Sequence, residues 1–183
     1  MNKNRLSAAM QARLNKQMTQ EAWAAQVYLS YASWADNEGY KGIANFLFRH
    51  ANEERNHMMK FLEYILGRGG KVTIDAIPKP PGDPTSIQDC FEKIFEQEVD
   101  NTRGIYELVK MSHDEGDWAT WHFMQWFVRE QTEEETLALN LLDKIKLAGG
   151  ERATAEALYN LDRDMQTEPD EAELAEDKTV DNP

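Results

Sequence analysis

Apolar side chains recur at steps of four and three along four long segments of the chain, the spacing of one face of an α-helix. The pattern predicts helices over about 7–37, 41–66, 86–113 and 117–148, with Ser86 and Asp117 as N-caps of the last two. A shorter amphipathic helix is expected at about 152–165. The predicted fold class is all-α, a left-handed four-helix bundle followed by a short C-terminal fifth helix.

The connections between these helices suggest how they are ordered in space. A short break at 37–39 turns the second helix back antiparallel to the first. The segment 67–86 is rich in glycine and proline and includes a candidate short strand at 71–74. Extended, it spans roughly 60 Å, more than the ~40 Å length of the second helix. The chain can therefore cross over the length of the bundle, so that the third helix runs parallel to the second.

Each long helix interrupts its apolar face once with polar residues that can bind metal, and the interruptions lie at similar depth. They are Glu21, Glu54 with His57, Glu98, and Gln131 with Glu134. An isolated Glu-x-x-His pair is more often a buried ion pair or a hydrogen-bonded core histidine. Four buried carboxylates, however, would cost several kcal/mol each, and one or two divalent cations would remove that penalty. Oxygen ligands with one imidazole suit iron or manganese, and would also hold zinc.

Charge and composition narrow the class of protein. The 183 residues carry 33 acidic and 20 basic side chains, a net charge of -13 that favours cations and disfavours nucleic acid and anionic membranes. A single cysteine, Cys90, excludes an internal disulfide and fits a packing role in a reducing cytoplasm. The basic N-terminus lacks the apolar core of a signal peptide, and the uncharged run 22–35 is too short and polar to span a bilayer. We expect residues 1–166 to form one domain and the acidic segment 167–183 to be a mobile tail.

Four stretches of the sequence, QMTQEAWAAQVYLS, HANEERNH, FEQEV and FMQWFVREQTEEE, resemble the non-haem bacterial ferritins. The resemblance runs from about residue 6 to residue 165 and implies a ferritin-like di-iron fold. It implies a first iron held by Glu21, Glu54 and His57, and a second held by Glu54, Glu98 and Glu134. Gln131 would lie close outside these ligands, and Tyr28 would be a nearby hydrogen-bonding or redox-capable phenol. A third iron site would comprise Glu53, Glu130, Glu133 and Glu134.

Two departures from related families bear on cofactor and channel. Haem-containing bacterioferritins have a second Glu-x-x-His on the fourth helix and a methionine after the metal-binding glutamate of the second. This chain has Gln131-x-x-Glu134 and Arg55 at those places, so no haem is expected. Animal-type shells line their three-fold iron channels with acidic residues early in the fourth helix. The corresponding positions here are Trp121 and Met124, so the iron entry route is not predicted.

The function implied by the resemblance is ferroxidase activity with iron storage. Fe(II) would be oxidised by dioxygen or peroxide and kept as Fe(III) mineral inside a hollow homo-oligomer, by likeness a 24-mer. Aromatic residues off the core face, Trp23, Tyr31 and Trp34, are predicted to lie in a subunit interface. Three alternatives stay open: a storage subunit without a working oxidation centre, a helical interaction protein with buried salt bridges, and an oxygenase- or reductase-type di-iron enzyme. His50 faces the core and is expected to be hydrogen-bonded there rather than to bind metal.

Overall fold

The computed structural model describes residues 3–167, and they are helical throughout apart from short turns and one long connection. Five α-helices follow in order: α1 Ala8–Asn37, α2 Lys41–Gly67, α3 Ile87–Glu115, α4 Trp118–Leu147 and α5 Ala155–Met165, with one 3₁₀ turn at Gly150–Arg152. The predicted fold class, a four-helix bundle with a short fifth helix, is confirmed. The boundaries of α1 to α4 agree with the predicted ones to within about two residues.

Side-chain contacts show the direction of each helix. Along α1 and α3 the pairs Arg13 with Glu107 and Tyr28 with Glu98 run in opposite chain directions, so these two helices are antiparallel. Helix α1 is also antiparallel to α2, because a three-residue turn joins them. Helices α2 and α3 are therefore parallel, as the predicted crossover requires.

The crossover runs along α1 as extended chain, and the candidate strand at 71–74 is not formed. Its backbone groups bind side chains of α1 instead. Asn15 donates Nδ2 to the carbonyl of Lys71 at 3.0 Å and accepts the amide of Thr73 at 2.6 Å. Gln11 Oε1 accepts the amide of Lys71 at 2.9 Å. The strand prediction was wrong because a single strand needs a partner strand, whereas polar side chains on a helix satisfy the same donors and acceptors.

The capping residues determine where the helices begin and end. Ser86 and Asp117 accept hydrogen bonds from the first turns of α3 and α4, which confirms both predicted caps. Helix α5 begins three residues later than predicted, because Thr154 is its N-cap and accepts from the amide of Ala157. Gly149, with φ of 113°, takes the left-handed conformation that ends the preceding segment.

Helix α5 in turn caps α2. The N-cap residue of α2, Tyr40, makes no side-chain capping bond, and Asp162 of α5 supplies it by accepting the amide of Ile43 at 2.9 Å. The helices approach closely at Gly42, where an added Cβ would lie 1.7 Å from the carbonyl oxygen of Asp162. A side chain at residue 42 would therefore displace α5 from the end of the bundle.

The core consists of two apolar clusters with a polar layer between them. The first lies at the end where α5 packs and includes Phe46, Leu47 and Phe91. The second lies at the opposite end and includes Phe61 and Phe127, whose rings stack at 4.2 Å. On each of the four long helices the metal-binding candidates fall between these clusters. The prediction that they lie at one depth of the bundle agrees with this arrangement.

The surface differs in part from the predicted aromatic interface. Tyr31 is only 1% exposed and belongs to the core, because a second face of α1, which also carries Ala24 and Val27, packs inward beside the main seam. Trp23 and Trp34 are half-buried and pack against the same cluster. Large apolar side chains that do reach solvent on α1, α2 and the crossover include Leu29, Phe48 and Ile77. No helix within residues 3–167 is long and apolar enough to cross a membrane.

Candidate metal centre

Six predicted site residues come together in the polar layer at the middle of the bundle. None is more than 5% exposed, and the six are Glu21, Glu54, His57, Glu98, Gln131 and Glu134. They come from all four long helices. Burial of so many ionisable groups in one layer is unusual unless they share charges or bind a cation.

The first metal position is formed by α1 and α2. One ligand atom each from Glu21, Glu54 and His57 lie within 4.8 Å of one another, a spacing that one cation can bridge. Glu54 Oε2 and His57 Nδ1 lie 3.5 Å apart, and both atoms are buried without a hydrogen bond from any residue in 3–167. Buried polar atoms nearly always have a partner. A metal ion ligated by both atoms would supply it.

The second metal position would be formed by carboxylates from three helices, and the charges of these carboxylates repel one another. Burial, followed by the charge of Glu98, raises the pKa of Glu54 well above its usual range. Burial and the charges of Glu98 and Glu54 do the same to the pKa of Glu134. Burial is also the main cause that raises the pKa of Glu98, to about 7. Without a cation Glu98 is partly protonated near neutral pH, and a cation placed among the three carboxylates would displace such protons.

His57 contacts acidic residues on both sides of its ring. Nδ1 faces Glu54, and Nε2 lies 3.4 Å from Glu130 Oε1 on α4. Burial alone would lower the pKa of His57, but its contacts with Glu130 and Glu54 outweigh burial and raise the pKa to about 12. The imidazole therefore joins the first metal position to an acidic residue predicted for the third.

Tyr28 donates its hydroxyl to Glu98 Oε1 at 2.8 Å, and the residue is only 1% exposed. Burial and the neighbouring charge of Glu98 raise the pKa of the phenol well above its usual range. Tyr28 is thus a neutral hydrogen-bond donor to a candidate ligand, in the position that the sequence predicted beside the centre.

Only some of the residues predicted for a third iron site lie together in the structure. Glu53 groups with His57 and Glu130, and again with His50 and Glu134, each group having ligand atoms within 4.8 Å. Glu133 is in neither group, and its Oε1 lies 3.8 Å from Arg129 Nε.

His50 lies in the core and is also close to the acidic cluster. Its Nδ1 donates to the carbonyl of Phe46 at 3.1 Å, as expected of a core histidine. That hydrogen bond leaves Nε2 as the nitrogen that can face a cation, and it lies 3.9 Å from Glu134 Oε2. His50 therefore also reaches the acidic cluster, although sequence reasoning placed it outside the site. Its place one turn before Glu54 on the same helix face was the available signal.

Sequence reasoning also missed two buried amides that contact the centre. Gln17 Nε2 donates to Glu21 Oε1 at 2.8 Å, and Asn101 Nδ2 donates to Glu21 Oε2 at 3.0 Å. Gln17 precedes Glu21 by one helical turn, and Asn101 follows Glu98 by one. A search for amides one turn from each candidate ligand would have found both.

The chain matches the family model described as "Ferritin-like domain" over residues 11–148. Among curated relatives, it is 36% identical over 152 residues to a probable bacterial non-heme ferritin-like protein of Haemophilus influenzae, covering 83% of this chain and 90% of the relative. It is 39% identical over 136 residues to the bacterial non-heme ferritin of Campylobacter jejuni, covering 74% and 81% of the two chains. The match to the family model includes every candidate ligand of the first two positions.

Solved structures agree with the sequence comparisons. A novel open pore ferritin from the hyperthermophilic archaeon Archaeoglobus fulgidus superposes with a TM-score of 0.85 at 38% identity, covering 90% of this chain and 98% of that one. An engineered closed form of the Archaeoglobus fulgidus ferritin gives the same TM-score at 40% identity. The likeness extends over the four-helix bundle and the short fifth helix together.

Proposed function

The chain belongs to the ferritin-like family, and from that premise we propose that it stores iron and oxidises Fe(II) at its buried centre. The observation that carries the proposal is the polar layer between the two apolar clusters. There Glu54 and His57 present buried ligand atoms to each other across 3.5 Å, with Glu21 alongside. Two ferrous ions would bind as substrate, the first to Glu21, Glu54 and His57, and the second to Glu54, Glu98 and Glu134.

Binding exchanges protons for iron. With a pKa raised to about 7, Glu98 is partly protonated in the metal-free site near neutral pH, and the pKa values of Glu54 and Glu134 are shifted in the same direction. Each ferrous ion displaces protons as it binds, and its charge removes the repulsion between the carboxylates. Glu54 is shared between the two positions, so the ions lie close enough to react with one oxidant molecule.

Oxidation removes one electron from each ferrous ion. The two electrons and two protons reduce one dioxygen to hydrogen peroxide, and with peroxide as oxidant they give two waters. Carboxylate ligands favour this direction because anionic oxygen stabilises Fe(III) over Fe(II). Tyr28 holds Glu98 through its hydroxyl and lies next to the reacting ions as a redox-capable phenol. Gln131 supports Glu98 from the opposite side with an N–H at 3.4 Å.

The ferric product would pass to a mineral held inside a closed shell of identical subunits. Exposed Leu29 and Phe48, together with Ile77 of the crossover, support a subunit contact on the outer side of α1 and α2. The acidic groups around Glu53 support a third iron position next to the first two. Glu130, Glu133 and Glu134 complete the predicted set for that position. Of the predicted acidic tail, 167–183, all but residue 167 lies outside the described residues.

Rapid-mixing absorbance after aerobic addition of Fe(II) to metal-free protein tests the activity. The native protein should show a fast ferric absorbance rise, and Glu54→Ala should lose it because both iron positions lose a shared ligand. Glu63→Ala, an exposed change on the same helix, is the matched control and should behave as native. Equal initial rates for Glu54→Ala and the native protein would contradict the di-iron assignment.

The alternatives give different results in the same experiment. A storage subunit without an oxidation centre would take up iron with no fast phase, and Glu54→Ala would change nothing. A helical interaction protein would bind no iron and would form a small oligomer. Light scattering decides the assembly, since 24 chains of 21.1 kDa have a mass of about 0.5 MDa.

A further inference from the structure

A chain of buried side-chain amides joins three helices behind the metal-binding carboxylates. Gln17 on α1, Asn101 on α3 and Gln131 on α4 are each no more than 1% exposed. Gln17 Nε2 lies 2.6 Å from Asn101 Oδ1, and Asn101 Nδ2 lies 3.3 Å from Gln131 Oε1. The amides form one connected path at the depth of the metal centre.

Every amide in this path also donates to a candidate iron ligand. Gln17 and Asn101 donate to the two oxygens of Glu21, at 2.8 and 3.0 Å. Gln131 Nε2 donates to Glu98 Oε2 at a longer 3.4 Å. Each carboxylate oxygen has two lone pairs, so Glu21 can accept both amide hydrogen bonds and still bind a cation. The carboxylate is therefore held in place before metal arrives.

Arg13 determines the orientation of the amides in this path, that is, which partner each amide oxygen and each amide nitrogen faces. A guanidinium can only donate, so Gln17 must turn Oε1 toward Arg13 Nη1, at 3.1 Å, and Nε2 toward Glu21. Asn101 must then offer Oδ1 to Gln17 and Nδ2 to Glu21. With the opposite orientation of either amide, an oxygen would face a carboxylate oxygen.

Gly104 makes room for this arrangement within α3. A Cβ at residue 104 would lie 2.5 Å from Gln17 Oε1 and 2.9 Å from Arg13 Nη2. The carbonyl of Gly104 accepts Arg13 Nη2 at 2.8 Å, which anchors the guanidinium. A glycine within a helix is less favourable than alanine, and here it permits the close approach of two α1 side chains.

We propose that Asn101 is a positioning residue for the metal ligand Glu21, in an amide path whose direction is set by Arg13. The proposal rests on the proposed function in taking Glu21 as an iron ligand. Asn101 would act through Glu21 and not as a ligand, because its side-chain amide is already hydrogen-bonded to Gln17, Glu21 and Gln131. It fixes the carboxylate of Glu21 and, through Gln131, supports Glu98, so that ligands from α1 and α3 are oriented together. Partners that orient metal ligands in this way are typically worth 10- to 100-fold in affinity.

Asn101→Leu tests the proposal, because it removes the amide and keeps most of the volume. The matched control is Gln97→Leu, one turn earlier on α3, since Gln97 is 8% exposed and makes no side-chain hydrogen bond within the described part of the chain. Zn²⁺ binding to the assembled, metal-free proteins is measured by calorimetry, and the occupied positions are located by anomalous diffraction. Co²⁺ absorption reports replacement of a carboxylate ligand by water.

The expected result is a 10- to 100-fold weaker Zn²⁺ site at Glu21, Glu54 and His57 in Asn101→Leu, with a changed Co²⁺ spectrum. Gln97→Leu should match the native protein in both measurements. Native affinity in Asn101→Leu would overturn the proposal, and so would an equal loss in Gln97→Leu, which would indicate packing instead. A native protein that binds Zn²⁺ at these positions but oxidises no Fe(II) would refute the proposed function and leave the positioning role standing.

The role of Arg13 has its own pair of variants. Arg13→Lys keeps a side chain that only donates and should retain the native Zn²⁺ affinity. Arg13→Met removes the donor, allows Gln17 to turn its oxygen toward Glu21, and should weaken the first position. Native affinity in Arg13→Met, or the same loss in Arg13→Lys, would overturn the assignment of direction to Arg13.

Discussion

Replacing Glu98 by glutamine should stabilise the metal-free protein at neutral pH and destabilise it when metal is bound. Glu98 is buried, and burial is the main reason that its pKa rises from 4.5 to about 7 in the folded protein. A carboxyl whose folded pKa is raised stabilises the fold below the unfolded pKa, and that stability is lost as pH rises through the folded value. Glu98→Gln is neutral at every pH and therefore avoids the loss.

The size of the effect follows from that pKa difference. Each unit of pKa corresponds to about 1.4 kcal/mol, so the ionised Glu98 costs the metal-free native state about 3 kcal/mol per chain at pH 7.5 and under about 1 kcal/mol at pH 5. The hydroxyl of Tyr28 can still donate to the amide oxygen, at the place where it now donates over 2.8 Å. For a chain of this length, about 3 kcal/mol raises the melting temperature by roughly 6–12 °C.

The assay is thermal unfolding of protein treated with a chelator, at pH 5 and pH 7.5, repeated with Zn²⁺. Glu98→Gln should melt higher than native protein at pH 7.5 without metal, show most of that gain lost at pH 5, and melt lower than native protein with Zn²⁺. Glu96→Gln, which removes the same charge from an exposed position on α3, should have no effect. An unchanged melting temperature at pH 7.5, or a gain as large at pH 5, would refute the electrostatic reasoning.

Three further predictions concern the core, the phenol and the third position. Phe61→Ala, at a fully buried ring stacked on Phe127, should lower the free energy of unfolding by about 3–5 kcal/mol in chemical denaturation, and a loss under 1 kcal/mol would contradict the packing. Tyr28→Phe removes a hydrogen bond that lowers the pKa of Glu98, so Zn²⁺ titrations should show binding shifted to higher pH, and an unshifted profile would count against the contact. Glu53→Ala should abolish a third anomalous peak in iron-soaked crystals and keep the first two, whereas a retained third peak would exclude Glu53 as its ligand.

The bundle could be predicted from the sequence because apolar residues repeat with the period of a helix along each of its long segments. Apolar spacing located the four long helices, and Ser86 and Asp117 marked two of their starts. The length of segment 67–86 was sufficient for a crossover and indicated one. The path of that segment could not be predicted, since it depends on contacts such as those of Asn15 with Lys71 and Thr73, which are distant in sequence.

The ligand candidates on the helix seams could be predicted for a similar reason, since Glu21, Glu54 and Glu98 interrupt an otherwise apolar pattern. The amides that support them could not, because Asn101 and Gln17 are ordinary polar residues until α1 and α3 pack together. Tyr31 shows the opposite error: a residue off the main seam was assigned to the surface, but α1 is buried around more of its circumference than one seam.

A layer of buried carboxylates that repel one another in the absence of metal is suited to binding iron and then releasing it. Burial and mutual repulsion raise the pKa values of Glu54, Glu98 and Glu134, so protons compete with cations for the same oxygens, in the case of Glu98 near neutral pH. Under the proposed function, an iron ion oxidised in this layer would be released when protons or new ferrous ions replace it, while the helices keep their places. The apolar clusters on either side of the polar layer make this possible, because they hold the four helices together whether the layer contains protons or iron. A site with ordinary carboxylate pKa values would hold its cation more permanently and would serve structure better than turnover.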